Sequence, residues 1–121
     1  GFRKPLSEKE KNVQKIVSYI ERHYVEDLHL DRLEQDLHLD KHYMSNIFKE
    51  VTGTTIFSYL YQRRVNQSRI IFLLDSSQTV TEVCFRVGFK HVSHFCRIFK
   101  KLVGMTPETY RKTMNNMGKG S

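Results

Sequence analysis

The chain has 121 residues, of which 39% are hydrophobic, 12% are aromatic, six are Gly and two are Pro. These apolar side chains suffice for a buried core, which excludes a wholly disordered chain, and the few Pro and Gly residues disfavour a turn-rich β-sandwich. No run of about 18 apolar residues is present, so the sequence predicts no membrane-spanning helix. Two Cys are too few for a disulfide framework, and we expect a cytoplasmic protein.

Positive charge is concentrated in the second half of the chain. The formal net charge is +7, yet residues 1–54 carry 9 Lys and Arg against 10 Asp and Glu, a net charge of −1. Residues 55–121 carry 11 against 3, a net charge of +8. A basic domain of this size often binds phosphate, although acidic proteins and anionic membranes also attract basic surfaces. We therefore expect any contact with a polyanion to be unequal along the chain.

The first two helices are predicted over 7–24 and 30–37. Ser7 and Glu10 have the spacing of a capping box, in which each side chain binds a free backbone amide of the other. His38 ends the second helix, since His adopts positive φ more often than most residues. Apolar side chains recur at intervals of three and four, as on one face of a helix: Val13, Ile16, Val17, Ile20, Tyr24, Leu30, Leu33 and Leu37.

A third helix over about 41–52 and a long fourth helix over 55–74 follow. Asp40 is the predicted N-cap of the third helix, and Gly53 ends it in a left-handed conformation. The apolar members of the two helices are Tyr43, Met44, Ile47, Phe48, Val51, Phe57, Leu60, Tyr61, Val65, Ile71, Phe72 and Leu74.

The remaining sequence predicts three shorter helices. The first contains Val80, Val83 and Val87 and stops at Gly88, where we expect a left-handed backbone. The second covers about 92–103, has Phe95, Ile98, Phe99 and Leu102 as apolar members, and ends at Gly104. The third begins with Thr as N-cap, Pro in the first turn and Glu near the positive end of the helix dipole, at 106–108. Residues 115–121 are predicted to be a flexible tail.

An internal duplication relates the two halves. Residues 48–59 match 99–110 at a shift of 51, and 33–39 match 83–89 at a shift of 50. Each copy contains a short helix, a tight turn and a longer helix, which is the layout of a helix-turn-helix whose second helix enters a major groove. The connecting helix of roughly 20 residues would be about 30 Å long, close to the spacing of about 34 Å between successive major grooves on one side of a duplex.

The second copy also carries a family signature. The stretches 83–89, 93–101 and 104–111 contain Gly-Phe, Phe-x-Arg-x-Phe-Lys-Lys and Gly-x-Thr-Pro-x-x-Tyr-Arg, and Arg64 precedes a Leu-Leu pair at 73–74. These elements resemble AraC/XylS-type transcriptional regulators over about residues 12–113. The resemblance implies an all-α fold of about seven helices, forming two helix-turn-helix subdomains joined by a long linker helix. It also implies bacterial transcription regulation, with double-stranded DNA and RNA polymerase as partners, and an N-terminal sensory or receiver domain missing from this chain.

The helices divide the chain into four predicted segments. Residues 1–54 hold the N-terminal helix and the first subdomain, 55–75 the linker helix, 76–114 the second subdomain and 115–121 the tail. Three positions depart from the family pattern, which usually has Ala there: Glu34, Cys84 and Ser68. Glu34 predicts either a looser first motif or a carboxylate that points to solvent.

Two sets of side chains are candidates for contacts with DNA. Carried over by position from the resemblance, the base-contact candidates are His42, Ser45, Asn46, Val92, Ser93, Cys96 and Arg97. Among them, an Asn side chain suits adenine, an Arg side chain suits guanine, and Val can contact a thymine methyl group. The phosphate-contact candidates are Lys41, Lys49, Lys90, Lys100 and Lys101. The alternative for each residue is a solvated side chain on an amphipathic helix.

Other functions have less support in the sequence. A metal site at His91, His94, Cys96 and Cys84 matches no zinc spacing. His38 and His42 are four residues apart and could also bind a metal, but the turn at His38 means that the two side chains do not share a helix face. No phosphate loop or nucleophile motif is present, so we predict neither an enzyme, a cofactor nor a metal. Aromatic residues at helical spacing indicate core packing rather than base stacking. A protein-interaction module that keeps the fold without binding DNA remains the alternative.

Overall fold

The structure, a computed structural model, describes residues 4–119, and these residues form seven α-helices and no β-strand. The helices are α1 Glu8–His23, α2 Leu30–Leu37, α3 Lys41–Thr52, α4 Ile56–Leu74, α5 Val80–Arg86, α6 Val92–Val103 and α7 Pro107–Lys119. The predicted all-α fold of about seven helices is confirmed. The chain divides into two compact units, the first ending at Leu60 and the second beginning at Tyr61, so that the division falls inside α4.

In the first unit, α1 packs against α2 and α3. The fully buried side chains of this core include Ile16, Ile20, Met44 and Phe48. Tyr19, which the spacing argument omits, is also buried, and its hydroxyl accepts a 2.9 Å hydrogen bond from Arg32 Nε. The same hydroxyl donates to Asp36. Polar bonds thus join α1 to α2 at the edge of the apolar core.

The helix ends of the first unit are built as the sequence predicts. Ser7 and Glu10 form the capping box, and Asp40 accepts a 3.0 Å hydrogen bond from Tyr43 N–H. His38 has φ 57°, so it is the single non-Gly residue with positive φ among residues 4–119. Its left-handed backbone turns the chain from α2 into α3, and Gly53 with φ 79° ends α3.

In the second unit, α5, α6 and α7 surround one apolar core. Phe72 of α4 contacts Phe99 of α6 edge-on, with 6.2 Å between ring centroids, and Phe95 and Phe99 are themselves 5.7 Å apart. Aromatic pairs in this geometry add to the stabilisation that burial alone provides. Gly88 has φ 107°, as expected, and ends the turn between α5 and α6.

Several residues differ from their predicted positions. Val51 and Leu102, at duplicated positions, are 42% and 47% exposed, because each lies in the last turn of its helix, where the apolar face extends past the core. Leu74 is 78% exposed at the end of α4. The capping box of Thr79 and Glu82 at the start of α5 was not predicted.

The end of the chain also differs from the prediction. Helix α7 continues to Lys119, so 115–119 are helical rather than a tail, since extending a formed helix costs less than starting one. Residues 120–121 lie outside the described residues.

Candidate nucleic-acid interface

Helix α3 separates its apolar and polar side chains onto opposite faces. Met44, Ile47 and Phe48 are buried against α1, whereas His42 and Asn46 are exposed. Ser45 is half-buried at the boundary between the two faces. The exposed face therefore presents an imidazole and a carboxamide, two groups that can form hydrogen bonds to base edges.

Helix α6 has the same organisation. Phe95 and Phe99 are fully buried, and Ser93 and Arg97, one helical turn apart, are exposed. The guanidinium of Arg97 is thus in solvent, as its position opposite Phe95 and Phe99 predicts.

Two other candidates on α6 lie at the edge of its polar face. Val92 is half-buried against the core of the second unit, and Cys96 is half-buried as well. Burial raises the pKa of the Cys96 thiol. The pKa of Cys84 is raised to about 11, chiefly by burial and to a smaller extent by the nearby Cys96. Both thiols are therefore protonated at neutral pH, when they are weak hydrogen-bond donors.

The five candidate lysines have different surroundings. Lys41 Nζ lies 2.8 Å from Asp31 Oδ1, and Lys49 Nζ donates a 3.2 Å hydrogen bond to the Gly53 carbonyl. The side-chain hydrogen bond between Lys41 and Asp31 raises the pKa of Lys41 and lowers that of Asp31. Lys41 is half-buried, and the other four lysines are exposed: Lys49, Lys90, Lys100 and Lys101.

Glu34 occupies neither of the two environments that the sequence predicts. Its side chain is half-buried, and its Oε2 accepts a 2.8 Å hydrogen bond from the backbone N–H of Lys41, the first residue of α3. The expectation of a loose motif or a solvent-facing carboxylate is therefore wrong. A Glu side chain is long enough to reach across the α2–α3 turn and bind an amide that the helix itself leaves free.

The start of α6 is different from that of α3. Its N-cap is His91, with φ −131° and ψ 127°, and the His91 side chain accepts no hydrogen bond from a helix amide. Cys84, the counterpart of Glu34, is completely buried in the apolar core. The positive end of the α6 dipole therefore lacks the carboxylate that Glu34 supplies at α3.

An aromatic cluster that sequence spacing does not reveal supports the start of α6. The His94 ring contacts Tyr61 and Phe89 edge-on, with centroid distances of 5.1 and 5.5 Å. The guanidinium of Arg64, itself buried, lies 5.5 Å from the centroid of the Phe89 ring. Burial, followed by the electrostatic effect of the nearby Arg97, His91 and Arg64 side chains, lowers the pKa of His94 and so favours its neutral form. The resemblance carried by Arg64 is the sequence signal that points to this cluster.

Among residues 4–119, no group of three or more His, Cys, Asp or Glu side chains is arranged to hold a metal ion. Within the same part of the chain, none of the helices has both the length and the apolar character needed to cross a bilayer.

The residues that build both motifs match a known family. Residues 33–113 match a family model described as a helix-turn-helix domain, from within α2 to the first half of α7. The chain belongs to this AraC-type family. Its members are DNA-binding domains of transcription regulators, and the recognition of that family from the sequence is confirmed.

Individual relatives are similar over most of this chain. The C-terminal domain of AraT, a response regulator from Geobacillus stearothermophilus, is 27% identical with a TM-score of 0.81, covering 88% of each chain. The DNA-binding domain of AdpA in complex with a target DNA has a TM-score of 0.79 at 22% identity, covers 91% of this chain and 98% of that one, and is similar in fold.

The curated relatives are longer than this chain. AdaA from Bacillus subtilis, a bifunctional transcriptional activator and DNA repair enzyme, is 30% identical over 112 residues, which are 90% of this chain and 53% of AdaA. The chain spans between about a third and about three fifths of the first curated relatives that it matches.

Proposed function

We propose that this domain binds double-stranded DNA sequence-specifically, with α3 and α6 each inserted into a major groove. The observation that carries the proposal is the equivalent construction of the two units, each exposing polar side chains on the helix that follows a left-handed turn. His38 and Gly88 provide these turns, with φ 57° and 107°. A major groove is wide enough to admit one α-helix, so each unit can present one helix to it.

Arg97 and Asn46 are the principal candidates for reading bases. Arg97 is exposed on the second recognition helix, where its planar guanidinium can donate two hydrogen bonds to the O6 and N7 acceptors of guanine. Asn46 is exposed on the first and can pair with the N6 and N7 groups of adenine. His42, Ser45, Ser93, Val92 and Cys96 border these two residues, and we assign them secondary contacts.

The phosphate contacts are proposed to come mainly from the second unit. Lys100 and Lys101 are exposed in the last turn of α6, and the residues from 61 onward carry the net charge of +8. In contrast, Lys41 is paired with Asp31 in the first unit. A paired ammonium contributes less to phosphate binding, because the carboxylate offsets its charge.

The proposal does not extend to catalysis. AdaA is named a repair enzyme as well as an activator, but the match covers only 53% of that protein. Its repair activity is therefore not carried over. RNA polymerase is a further proposed partner, which the resemblance to transcription regulators suggests.

Selection from random duplexes tests the proposal. We expect the domain to enrich sites with two short conserved blocks about one helical turn apart. Inserting about five base pairs, half a turn, between the blocks should weaken binding strongly, whereas inserting about ten should restore much of it. Failure to enrich any duplex over a scrambled pool would contradict DNA binding and favour the interaction module.

A further inference from the structure

Glu34 joins the two helices of the first motif through one hydrogen bond. The residue lies in α2, and its Oε2 is 2.8 Å from the backbone nitrogen of Lys41, seven positions later. Between them, His38 reverses the chain with its left-handed backbone. A hydrogen bond to an ionised acceptor is stronger than one between neutral groups. The carboxylate therefore ties α2 to the first residue of α3, next to the N-cap Asp40.

Two further carboxylates lie at the same helix start. Asp40 Oδ2 accepts a 3.0 Å hydrogen bond from Tyr43 N–H, and Asp31 Oδ1 is 2.8 Å from Lys41 Nζ. Three carboxylates and one ammonium thus surround the first turn of α3. Two of the amides there already donate to acidic side chains of the same unit.

This arrangement changes what the first turn can bind. The free amides and the positive dipole end of a helix generally favour phosphate. At α3, a phosphate would find the Lys41 and Tyr43 amides occupied and would approach a local excess of negative charge. At α6, by contrast, the His91 side chain makes no capping hydrogen bond, and the residue equivalent to Glu34 is the neutral Cys84.

We infer that Glu34 is a positioning residue that fixes the start of the first recognition helix and lowers the sequence-independent part of the DNA affinity. The inference rests on the proposed function and deepens it. In the first motif, DNA is held through side chains farther along α3, such as Asn46, rather than through a phosphate on the helix terminus. The first unit therefore adds to the DNA affinity chiefly on duplexes whose bases match the side chains of α3.

Two substitutions separate the charge of Glu34 from its hydrogen bond. Glu34→Gln retains a carbonyl acceptor of the same length and removes the charge, whereas Glu34→Ala removes both and restores the residue that the family usually has. Glu8→Gln, in the first turn of α1, changes the net charge equally at another place and is the matched control. Binding is measured by fluorescence anisotropy on a selected duplex and on a scrambled one, from about 50 to about 200 mM salt, a range in which phosphate contacts dominate the change in affinity.

Glu34→Gln should tighten binding to both duplexes by about threefold to tenfold at the lowest salt, as expected for removing one charge several ångströms from a phosphate. The plot of log K against log salt should become steeper by up to about 0.9. The melting temperature and the hydrogen exchange of the Lys41 amide should stay as in the wild type.

In Glu34→Ala, the Lys41 amide should exchange faster in the free protein and regain protection on the duplex. Glu8→Gln should change the affinity by less than about twofold, because screening weakens distant charges.

Equal binding by Glu34→Gln, Glu8→Gln and the wild type at every salt concentration would overturn the inference and leave DNA binding intact. Unchanged exchange of the Lys41 amide in Glu34→Ala would also overturn it, since the amide would then not depend on the Glu34 side chain. A wild-type domain that binds neither duplex would contradict the proposed function itself, and the inference with it.

Discussion

Helices α3 and α6 occupy equivalent places in the two units, yet their first turns are built from different side chains. At α3, Glu34 and Asp40 bind backbone amides, and Asp31 pairs with Lys41. At α6, the chain relies on apolar and aromatic packing, with Cys84 buried and His94 against two aromatic rings. Both solutions leave the backbone alike, with a left-handed residue before each helix and Gly after it. The two motifs thus share their backbone conformation, whereas the side chains around the first turn determine the local charge at each helix start.

The largest expected effect tests whether the second unit supplies most of the phosphate contacts. Replacing Lys100 and Lys101 together by Ala should flatten the plot of log K against log salt by up to about 1.8, because each phosphate contact contributes about 0.9. The matched pair is Lys41 and Lys49, whose ammonium groups already have partners within the protein. An equal or larger change from that pair would contradict an unequal distribution of phosphate contacts.

The next effect concerns base selectivity. Arg97→Ala should reduce discrimination at one base pair by about 1–3 kcal/mol, because the bidentate contact to guanine is lost. Its melting temperature should stay near that of the wild type, since the side chain is exposed. Arg97→Lys should regain affinity without full selectivity, because an ammonium lacks the planar donor pair. The measurement is a set of affinities for all single-base variants of a selected site at one salt concentration.

Equal weakening at every site by Arg97→Ala would assign the residue to phosphate. A melting temperature lower by many degrees would instead make it part of the fold.

The two turns allow a direct comparison of stability. Gly88 has φ 107°, where a β-branched side chain is strained, so Gly88→Val should lower the free energy of unfolding by more than about 1 kcal/mol. His38→Gly should be neutral or mildly stabilising, because glycine adopts φ 57° without a steric cost. Thermal and urea unfolding of both variants provide the comparison. A harmless Gly88→Val would contradict the assignment of Gly88 to the turn between the two helices of the second motif.

The smallest effect is a pH dependence confined to the second unit. Burial, with the charges of Arg97, His91 and Arg64, lowers the pKa of His94, so the unfolded chain takes up this proton before the folded one. Its contribution to stability should therefore be complete above the unfolded pKa of about 6.5 and decline as the pH falls below it. Melting curves between about pH 5 and about pH 8 should show this decline, and His94→Gln should make the curve flatter. An unchanged pH dependence in that variant would assign the decline to other groups.

Local rules predicted most helix boundaries and left-handed turns. Ser7, Asp40, Gly53 and Gly88 act through the backbone within a few residues, so their positions in the sequence contain the needed information. The same rules placed Val51 inside the core, although the end of α3 extends past it.

Contacts across the tertiary structure could not be predicted in the same way. The bond from Glu34 to the Lys41 amide depends on how closely α2 approaches α3, and the cluster of Tyr61, Phe89 and His94 depends on how α4 packs against α6. Periodicity identifies the face on which a side chain lies but does not choose its partner. The family resemblance supplied the candidate base contacts, and their roles stay predictions.

The deep burial of Cys84 gives the second unit an internal reporter of its own opening. The thiol is completely buried and its pKa is about 11, so the native state holds it away from alkylating reagents and in its unreactive protonated form. Alkylation of Cys84 then requires the second unit to open, so the rate of alkylation reports how often the unit opens. Cys96, half-buried on α6, is more accessible, so we expect it to react with reagent without such an event. The two thiols thus report different events: Cys84 reports opening of the second unit, and Cys96 reports coverage of the surface that we propose DNA binds.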